Sequence, residues 1–288
     1  MKIGFVGLGF MGSPMAGHLA EAAKGSGDEL IVWNRTPAKA KSAVEKGAEL
    51  SSSIEQLASE CEVIVTCVNR TEDVKEVIFQ MMKSAKPNTL FVDHSTIAPK
   101  GAVEIGEALN VNSMRFVDAP VTGGSAGAIA GKLTIFMGGA ELDVNEAIKI
   151  TKPYTKVSDR VGGQGMGQTM KLANQIAGAG CLIALCECLA FAQKSGLDMA
   201  QARQLISGGA AGSWAMENYG PKILARDWTP GFSILNQRKD FAYCAEVAEE
   251  IQASIPCTML VYELLGQLES DGRGEQATTA LFDKISQT

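Results

Sequence analysis

Histidine is nearly missing from this chain: His18 and His94 are the only two in 288 residues. Neither has a partner at ligand or relay spacing, so both read as structural. No His/Cys/Asp cluster suggests a metal. A surplus of basic residues is missing too. The net charge is −6 and the isoelectric point about 5.2. That argues against a nucleic-acid partner, which calls for a basic stripe, but leaves room for a small anionic ligand in a local basic pocket. No internal repeat or low-complexity segment occurs. No leader pattern stands ahead of the first strand, because Met1-Lys2 runs straight into Ile-Gly-Phe-Val. The expectation is a cytoplasmic protein. A disulfide framework is also lacking. The seven cysteines are odd in number and sit in apolar patterns, as expected of reduced thiols. Cys186-x-Cys188 reads as buried packing, not as a metal site.

What is present is an ordinary globular composition, 46% hydrophobic and 20% charged, enough for one large or two medium domains. One stretch is unusual. From Val161 to Gln193 the only charged residues are Lys171 and Glu187. Leu172–Ala192 is long enough to span a bilayer, but it holds Asn174, Gln175 and Glu187 and lacks basic or aromatic flanks. It is expected to be a buried central helix, with no membrane partner. A helix that apolar is buried on most sides, and burying a lysine is costly unless it is paired or used.

The first half alternates strands and helices. Ile3–Val6 is a short apolar strand, followed at once by Gly7-Leu8-Gly9-Phe10-Met11-Gly12 and a helical pattern from Pro14 to about Lys24. A lone GxGxxG is weak, but between a strand and a helix it has its required setting. Gly7 permits the tight turn, Gly9 lets a pyrophosphate approach the backbone, and Gly12 allows close helix–strand packing. The helix N-terminus offers N–H groups to phosphate. The second strand, Glu29–Trp33, ends in Asn34-Arg35-Thr36. An NAD site usually has an acid there. A neutral Asn, an Arg fork and a Thr hydroxyl instead suit a 2′-phosphate, so NADP(H) is favoured over NAD(H). Val63–Val68, Leu90–Asp93, a strand ending in Asp118-Ala119-Pro120-Val121, and Leu133–Met137 continue the pattern. This predicts a doubly wound parallel sheet. Ligands then lie beyond the carboxyl ends of the strands, at Val68-Asn69, Ser95-Thr96 and Thr122-Gly123-Gly124.

The expected fold is α/β: a Rossmann domain over 1–162, then an all-α domain over 163–288 entered by a long helix at about Gln168–Ser195. Further helices are predicted at Asp198–Ser207, Trp214–Ala225, Leu235 to about Gln252, Pro256–Ser270 and Gly274–Ile285. On the long helix Lys171, Asn174, Gln175 and Gly178 fall on one face, suited to line a cleft. Lys171 is expected to face the crevice above the nicotinamide.

Four spaced motifs occur in order: Gly7-x-Gly9-x-x-Gly12-x-x-Met15-Ala16, Asp118-Ala119-Pro120-Val121-Thr122-Gly123-Gly124, Gly165-x-Gly167-x-x-x-Lys171-x-x-Asn174, and Lys239-Asp240. Together, and over essentially the whole chain, they resemble the β-hydroxyacid dehydrogenase family. That family includes 3-hydroxyisobutyrate dehydrogenase, tartronate semialdehyde reductase and glyoxylate/succinic semialdehyde reductases. The resemblance implies that Lys171 is catalytic. It implies that Thr122, Gly123 and Gly124 hold a substrate carboxylate, that Asn174 orients the substrate, and that Phe232 and Asp240 wall the site. Thr96 and Lys239 resemble cofactor contacts, and Val68, Asn69 and Asp73 match the loop along the cofactor. A homodimer or homotetramer is implied. The chain departs from the family in having Thr122 for a common Ser, Val68-Asn69 for Leu-Pro, and Phe241 for Leu.

The chemistry that follows is hydride exchange between a nicotinamide and a small carboxylate-bearing carbonyl compound. Lys171 would give or take the proton, a step typically worth roughly 10²- to 10⁴-fold. Burial lowers a lysine's pKa, which suits both directions. Two other readings stay open: an NADP(H)-sensing protein without catalysis, and an imine reductase, which shares the architecture but usually lacks the lysine.

Overall fold

The computed structural model describes residues 1–287. The chain forms two compact units, Met1–Lys171 and the residues from Leu172 onward.

The first unit holds nine strands: β1 Lys2–Val6, β2 Glu29–Trp33, β3 Glu49–Leu50, β4 Val63–Thr66, β5 Leu90–Asp93, β6 Arg115–Asp118, β7 Val121–Thr122, β8 Leu133–Gly138 and β9 Thr155–Gly162. Its helices are α1 Gly12–Ser26, α2 Lys41–Glu45, α3 Ile54–Glu60, α4 Thr71–Met82, α5 Pro99–Val111, α6 Gly124–Ile129 and α7 Glu141–Thr151. The order β3-β2-β1-β4-β5-β6 is parallel throughout. It is the doubly wound arrangement, with its reversal between β1 and β4.

The two-residue period of a strand explains why these strands read as continuous apolar runs. Ile3, Phe5, Leu30, Val32, Val63, Val65, Leu90, Val92 and Val117 enter one core, with α1. The intervening Val6, Ile31, Ile64, Phe91 and Phe116 enter a second, with α3, α4 and α5. A sheet covered on both faces needs apolar residues facing both ways.

The expected doubly wound parallel sheet is extended at the far edge. There β8 runs antiparallel to β6 and β7, and β9 adds in parallel to β8. β9 is largely exposed, so it carries no apolar pattern to betray it. The strand expected through Val121 is two: Pro120 interrupts it, and β7 pairs with β8 through Val121–Ile135 and Thr122–Thr134.

α8, Met166–Lys194, is one continuous helix of 29 residues, and the boundary between the two units falls inside it, after Lys171. By length and composition it could cross a membrane, yet half of its most apolar window is buried. Leu172, Leu182, Leu185, Cys186 and Leu189 join Phe241, Cys244, Val261, Leu265 and Phe282 in the second unit's core. That is the pattern of a core helix.

The remaining helices are α9 Met199–Ser207, α10 Trp214–Asn218, α11 Gly220–Leu224, α12 Ile234–Glu250, α13 Pro256–Leu268 and α14 Leu281–Gln287. Asp198 caps α9 by accepting from the Gln201 N–H at 2.7 Å. Two helical expectations are corrected. Trp214–Ala225 breaks at Tyr219, because Pro221 lacks the N–H a continuous helix needs. Gly274–Ile285 begins late. Its first residues instead return to the start of α12, with an antiparallel bridge between Ser233 and Ala277, and helix resumes only at Thr278.

Candidate active site

The dinucleotide loop sits between β1 and α1 as its sequence demands. Gly7 has φ +97°, a left-handed conformation that favours glycine. A Cβ on Gly12 would lie 1.8 Å from the Gly7 carbonyl oxygen, so α1 can approach the loop only through a glycine. A Cβ on Gly9 would meet nothing within 4 Å. The loop is therefore closed behind Gly7 and Gly12 and open in front of Gly9. Phe10 is exposed and Met11 half-buried beside it. An open glycine ahead of a helix N-terminus is the cradle a pyrophosphate needs, so the residues present fit a dinucleotide.

Asn34 and Leu8 are bonded to each other. The Leu8 N–H donates to Asn34 Oδ1 at 2.8 Å, and Asn34 Nδ2 donates to the Thr36 carbonyl at 2.9 Å. The Leu8 side chain is buried in the first core. The Leu8 N–H and the Asn34 side chain thus tie the phosphate loop to the end of β2. Arg35 and Thr36 are exposed just beyond. Asp73 is also engaged locally, since its carboxylate accepts the Arg70 N–H at 2.9 Å and closes the start of α4.

The ends of β4 and β5 are stitched together by a buried acid. Asp93 accepts from the Thr66 and Ser95 hydroxyls, each at 2.7 Å, and the Ser95 oxygen accepts the Val68 N–H at 2.9 Å. Val68 and Thr96 are half-buried in these segments, and Asn69 is exposed. His94 is structural, as expected. Its Nδ1 lies 2.6 Å from the Ala119 carbonyl and its Nε2 2.8 Å from the Tyr154 hydroxyl. A carbonyl can only accept, so Nδ1 carries the proton and Tyr154 donates to Nε2. Burial pushes the imidazole down to about 4, against the Ala119 bond, which holds it up.

Asp118, at the end of β6, went unassigned at the sequence level. It is fully buried, and its two oxygens accept the N–H groups of Gly165 and Gln168 at 2.8 and 2.9 Å. Burial pushes its carboxyl up to about 7, with the two backbone donors opposing. Four residues on, Thr122, Gly123 and Gly124 are partly accessible. The glycines take φ of +125° and +62° and turn the chain into α6. Gln168 donates to the Ser95 carbonyl at 2.9 Å and accepts the Ile97 N–H at 3.1 Å. Lys171 follows one turn later and is 7% exposed. No group of acids, cysteines and histidines among the described residues is arranged to hold a metal.

In the second unit, α8 and α12 carry a polar chain. Asn174 donates to Gln175 Oε1 at 3.0 Å, Gln175 donates to Asp240 Oδ2 at 2.7 Å, and Lys239 pairs with Asp240 Oδ1 at 3.2 Å. The Lys239 and Asp240 side chains are only 12% and 2% exposed, so this is a buried pair. Phe232, half-buried, precedes α12, and its carbonyl accepts the Thr278 N–H at 3.2 Å. Gln175, which the helical spacing puts on one face with Lys171 and Asn174, is the link from α8 to Asp240.

Comparison with known proteins agrees with this arrangement. Residues 2–163 match the NAD binding domain of 6-phosphogluconate dehydrogenase. Residues 165–285 match the domain described as NAD-binding of NADP-dependent 3-hydroxyisobutyrate dehydrogenase. A probable mitochondrial 3-hydroxyisobutyrate dehydrogenase-like protein of Arabidopsis thaliana is 37% identical over 98% of this chain and 84% of its own. The 2-hydroxy-3-oxopropionate reductase of Escherichia coli is 34% identical over 99% and 97%. The solved Mycobacterium tuberculosis 3-hydroxyisobutyrate dehydrogenase, with L-serine, superposes with a TM-score of 0.87 at 27% identity, covering 99% of this chain and 98% of that one. Glycine cradle, buried helix-borne lysine and full-length similarity agree, and the chain belongs to the β-hydroxyacid dehydrogenase family of NAD(P)-dependent oxidoreductases.

Proposed function

We propose that this enzyme interconverts a small 3-hydroxy acid and its semialdehyde or keto acid, with 3-hydroxyisobutyrate the first candidate, and that it prefers NADP(H). Glyoxylate, succinic semialdehyde and tartronate semialdehyde are the competing substrates. The observation that carries the reading is Lys171: the one cation in the first six turns of α8, 7% exposed, in a helix whose first turn is fastened to strand ends of the sheet.

When bound, the nicotinamide supplies or accepts the hydride. The chain supplies the rest. Lys171 Nζ donates a proton to the carbonyl oxygen as negative charge develops there, and takes it back in the oxidising direction. The Thr122 hydroxyl and the N–H groups of the Gly123–Gly124 turn bind the carboxylate. Asn174, one turn beyond Lys171, orients the reacting group. Thr122 places a methyl where a serine would leave space, which favours compact substrates. Arg35 and Thr36, exposed beyond β2, form a charge-assisted site for a 2′-phosphate.

The test is oxidation of NADPH and of NADH with methylmalonate semialdehyde, succinic semialdehyde, glyoxylate and tartronate semialdehyde. NADPH-dependent turnover of one of them names the substrate. Binding without turnover of any would refute the assignment for this panel. A homo-oligomer belongs to the same proposal. Ala173, Ala177, Cys181, Ala184 and Phe191 leave an exposed stripe along α8 that carries a single charge, Glu187, suited to a second copy, and light scattering gives the mass. The expected place of action is the cytoplasm.

A further inference from the structure

The buried carboxylate of Asp118 has no part in the chemistry above, yet it sits at a junction. Asp118 ends β6, and the chain runs on through Ala119 and Pro120 to Thr122 in β7. Its two oxygens hold the N–H groups of Gly165 and Gln168 at 2.8 and 2.9 Å. These are donors at the start of α8 that the helix itself cannot satisfy. Gln168 then reaches the other way. Its carboxamide bonds the Ser95 carbonyl and the Ile97 N–H at 2.9 and 3.1 Å, on either side of Thr96.

Two glycines make room for this contact. A Cβ on Gly167 would lie 2.5 Å from the Asp118 carbonyl oxygen and 2.7 Å from Oδ2. A Cβ on Gly138 would lie 2.5 Å from Oδ1. The backbone of the first turn is thus pressed against the strand ends as closely as atoms allow. A plain helix cap needs one local Ser, Thr, Asp or Asn. Here the cap comes from 47 and 50 residues away and is shared with the chain leading to Thr122.

We propose that Asp118 and Gln168 are positioning residues that clamp the first turn of α8 and so set where Lys171 stands against the Thr122–Gly124 loop and Thr96. The inference rests on the proposed role of Lys171. Lys171 lies three residues beyond Gln168, about 4.5 Å along the axis, so a slip of the first turn passes directly to it. Displacement of a reacting group by about 1 Å can cost roughly 10²-fold in rate.

The test compares wild type, Asp118→Asn and Gln168→Met at pH 8, each alone and with Lys171→Ala. The Asn side chain keeps the shape but turns an NH2 group toward one backbone N–H. The Met side chain keeps the length of Gln168 and removes both of its bonds. Melting temperature, NADPH dissociation constant by fluorescence, KM and kcat are measured, with added ethylamine to raise the turnover of the Lys171→Ala proteins. Expected is a fall in kcat of about 10- to 10²-fold for each single variant, with the NADPH dissociation constant and KM within about twofold. In the Lys171→Ala background the same substitutions should leave the residual or amine-supported rate within about twofold, because no lysine remains to be placed. Equal losses in both backgrounds, or losses that appear in KM or NADPH affinity instead of kcat, overturn the clamp. If Asp118→Asn melts below the assay temperature, Gln168→Met carries the same decision. Should Lys171→Ala turn over like wild type, the role of the lysine fails instead, a separate outcome visible before the clamp variants are made.

Discussion

Gly9 and Gly12 stand three residues apart in one loop, and the structure gives them opposite duties. Alanine at position 12 would put its methyl 1.8 Å from the Gly7 carbonyl oxygen, short by about 1.6 Å of the 3.4 Å where ordinary contact begins. The obstacle is backbone, so no side chain can turn aside, and α1 must move. Overpacking of this kind costs about 1–3 kcal/mol, and the contact is severe enough to put Gly12→Ala near the upper figure. For a unit of this size about 3 kcal/mol lowers Tm by roughly 6–12 °C. Alanine at position 9 meets nothing within 4 Å, and Gly9 lies outside the left-handed φ region. Gly9→Ala should therefore fold unchanged or gain about 0.4–1 kcal/mol from a stiffer unfolded chain. Its methyl enters the space in front of the loop, and the same 1–3 kcal/mol of overcrowding then falls on the bound pyrophosphate. That weakens NADPH by roughly 5- to 150-fold. The assay is thermal melting beside a fluorescence titration with NADPH. Gly12→Ala should lose both properties, Gly9→Ala only the second. Wild-type NADPH affinity in a well-folded Gly9→Ala protein would show that the pyrophosphate does not lie over this glycine.

Lys171→Ala should keep NADPH affinity within about twofold and lose roughly 10²- to 10⁴-fold in kcat; near-normal turnover would remove Lys171 from the mechanism. Arg35→Ala should weaken NADPH by about 1.5–3 kcal/mol, the worth of a charge-assisted bond, and leave NADH unchanged; equal losses for the two cofactors would sink the 2′-phosphate assignment. Stability against acid has two opposed contributions. His94, pushed down to about 4 by burial, binds fewer protons folded than unfolded, so its contribution is full above pH 6.5 and is lost as pH falls toward 4. Asp118, pushed up to about 7 by burial, binds more protons folded than unfolded, so its contribution weakens as pH rises from 3.8 to 7. Asp118→Asn removes the second slope. Urea unfolding at pH 7, 6 and 5 should then show a steeper loss toward acid than wild type; an equal or shallower slope would contradict the opposed-titration argument.

Much of the first unit was legible because its constraints act on residue types. A sheet buried on both faces needs apolar residues facing both ways, and β1, β4 and β5 supply them at most positions. The phosphate loop needs glycines because backbone must approach backbone, and the sequence shows them. Lys171 drew notice because a charge stands out in a run without any. Other features left no such mark. β9 pairs along an exposed edge through backbone alone. Asp118 and Gln168 bond mostly to main-chain groups, which every residue carries, so neither has a partner to be found by spacing. The Asn34 amide is engaged within the loop, a local bond that the residue types around it do not announce.

That engagement of Asn34 bears on how cofactor choice can drift over generations. Asn and Asp codons differ by one base, so an acid at the end of β2, the feature that favours NAD, is always one mutational step away. In this fold the step is not neutral. After Asn34→Asp the new carboxylate would still accept the Leu8 N–H, but it would set an oxygen against the Thr36 carbonyl, where an amide now donates at 2.9 Å. The lost bond and the repulsion in its place cost about 1–3 kcal/mol before any cofactor is met. On the proposed preference for NADP(H), a lineage moving toward NAD would have to reshape the Thr36 turn first, and until it did, the loop itself would act as a ratchet.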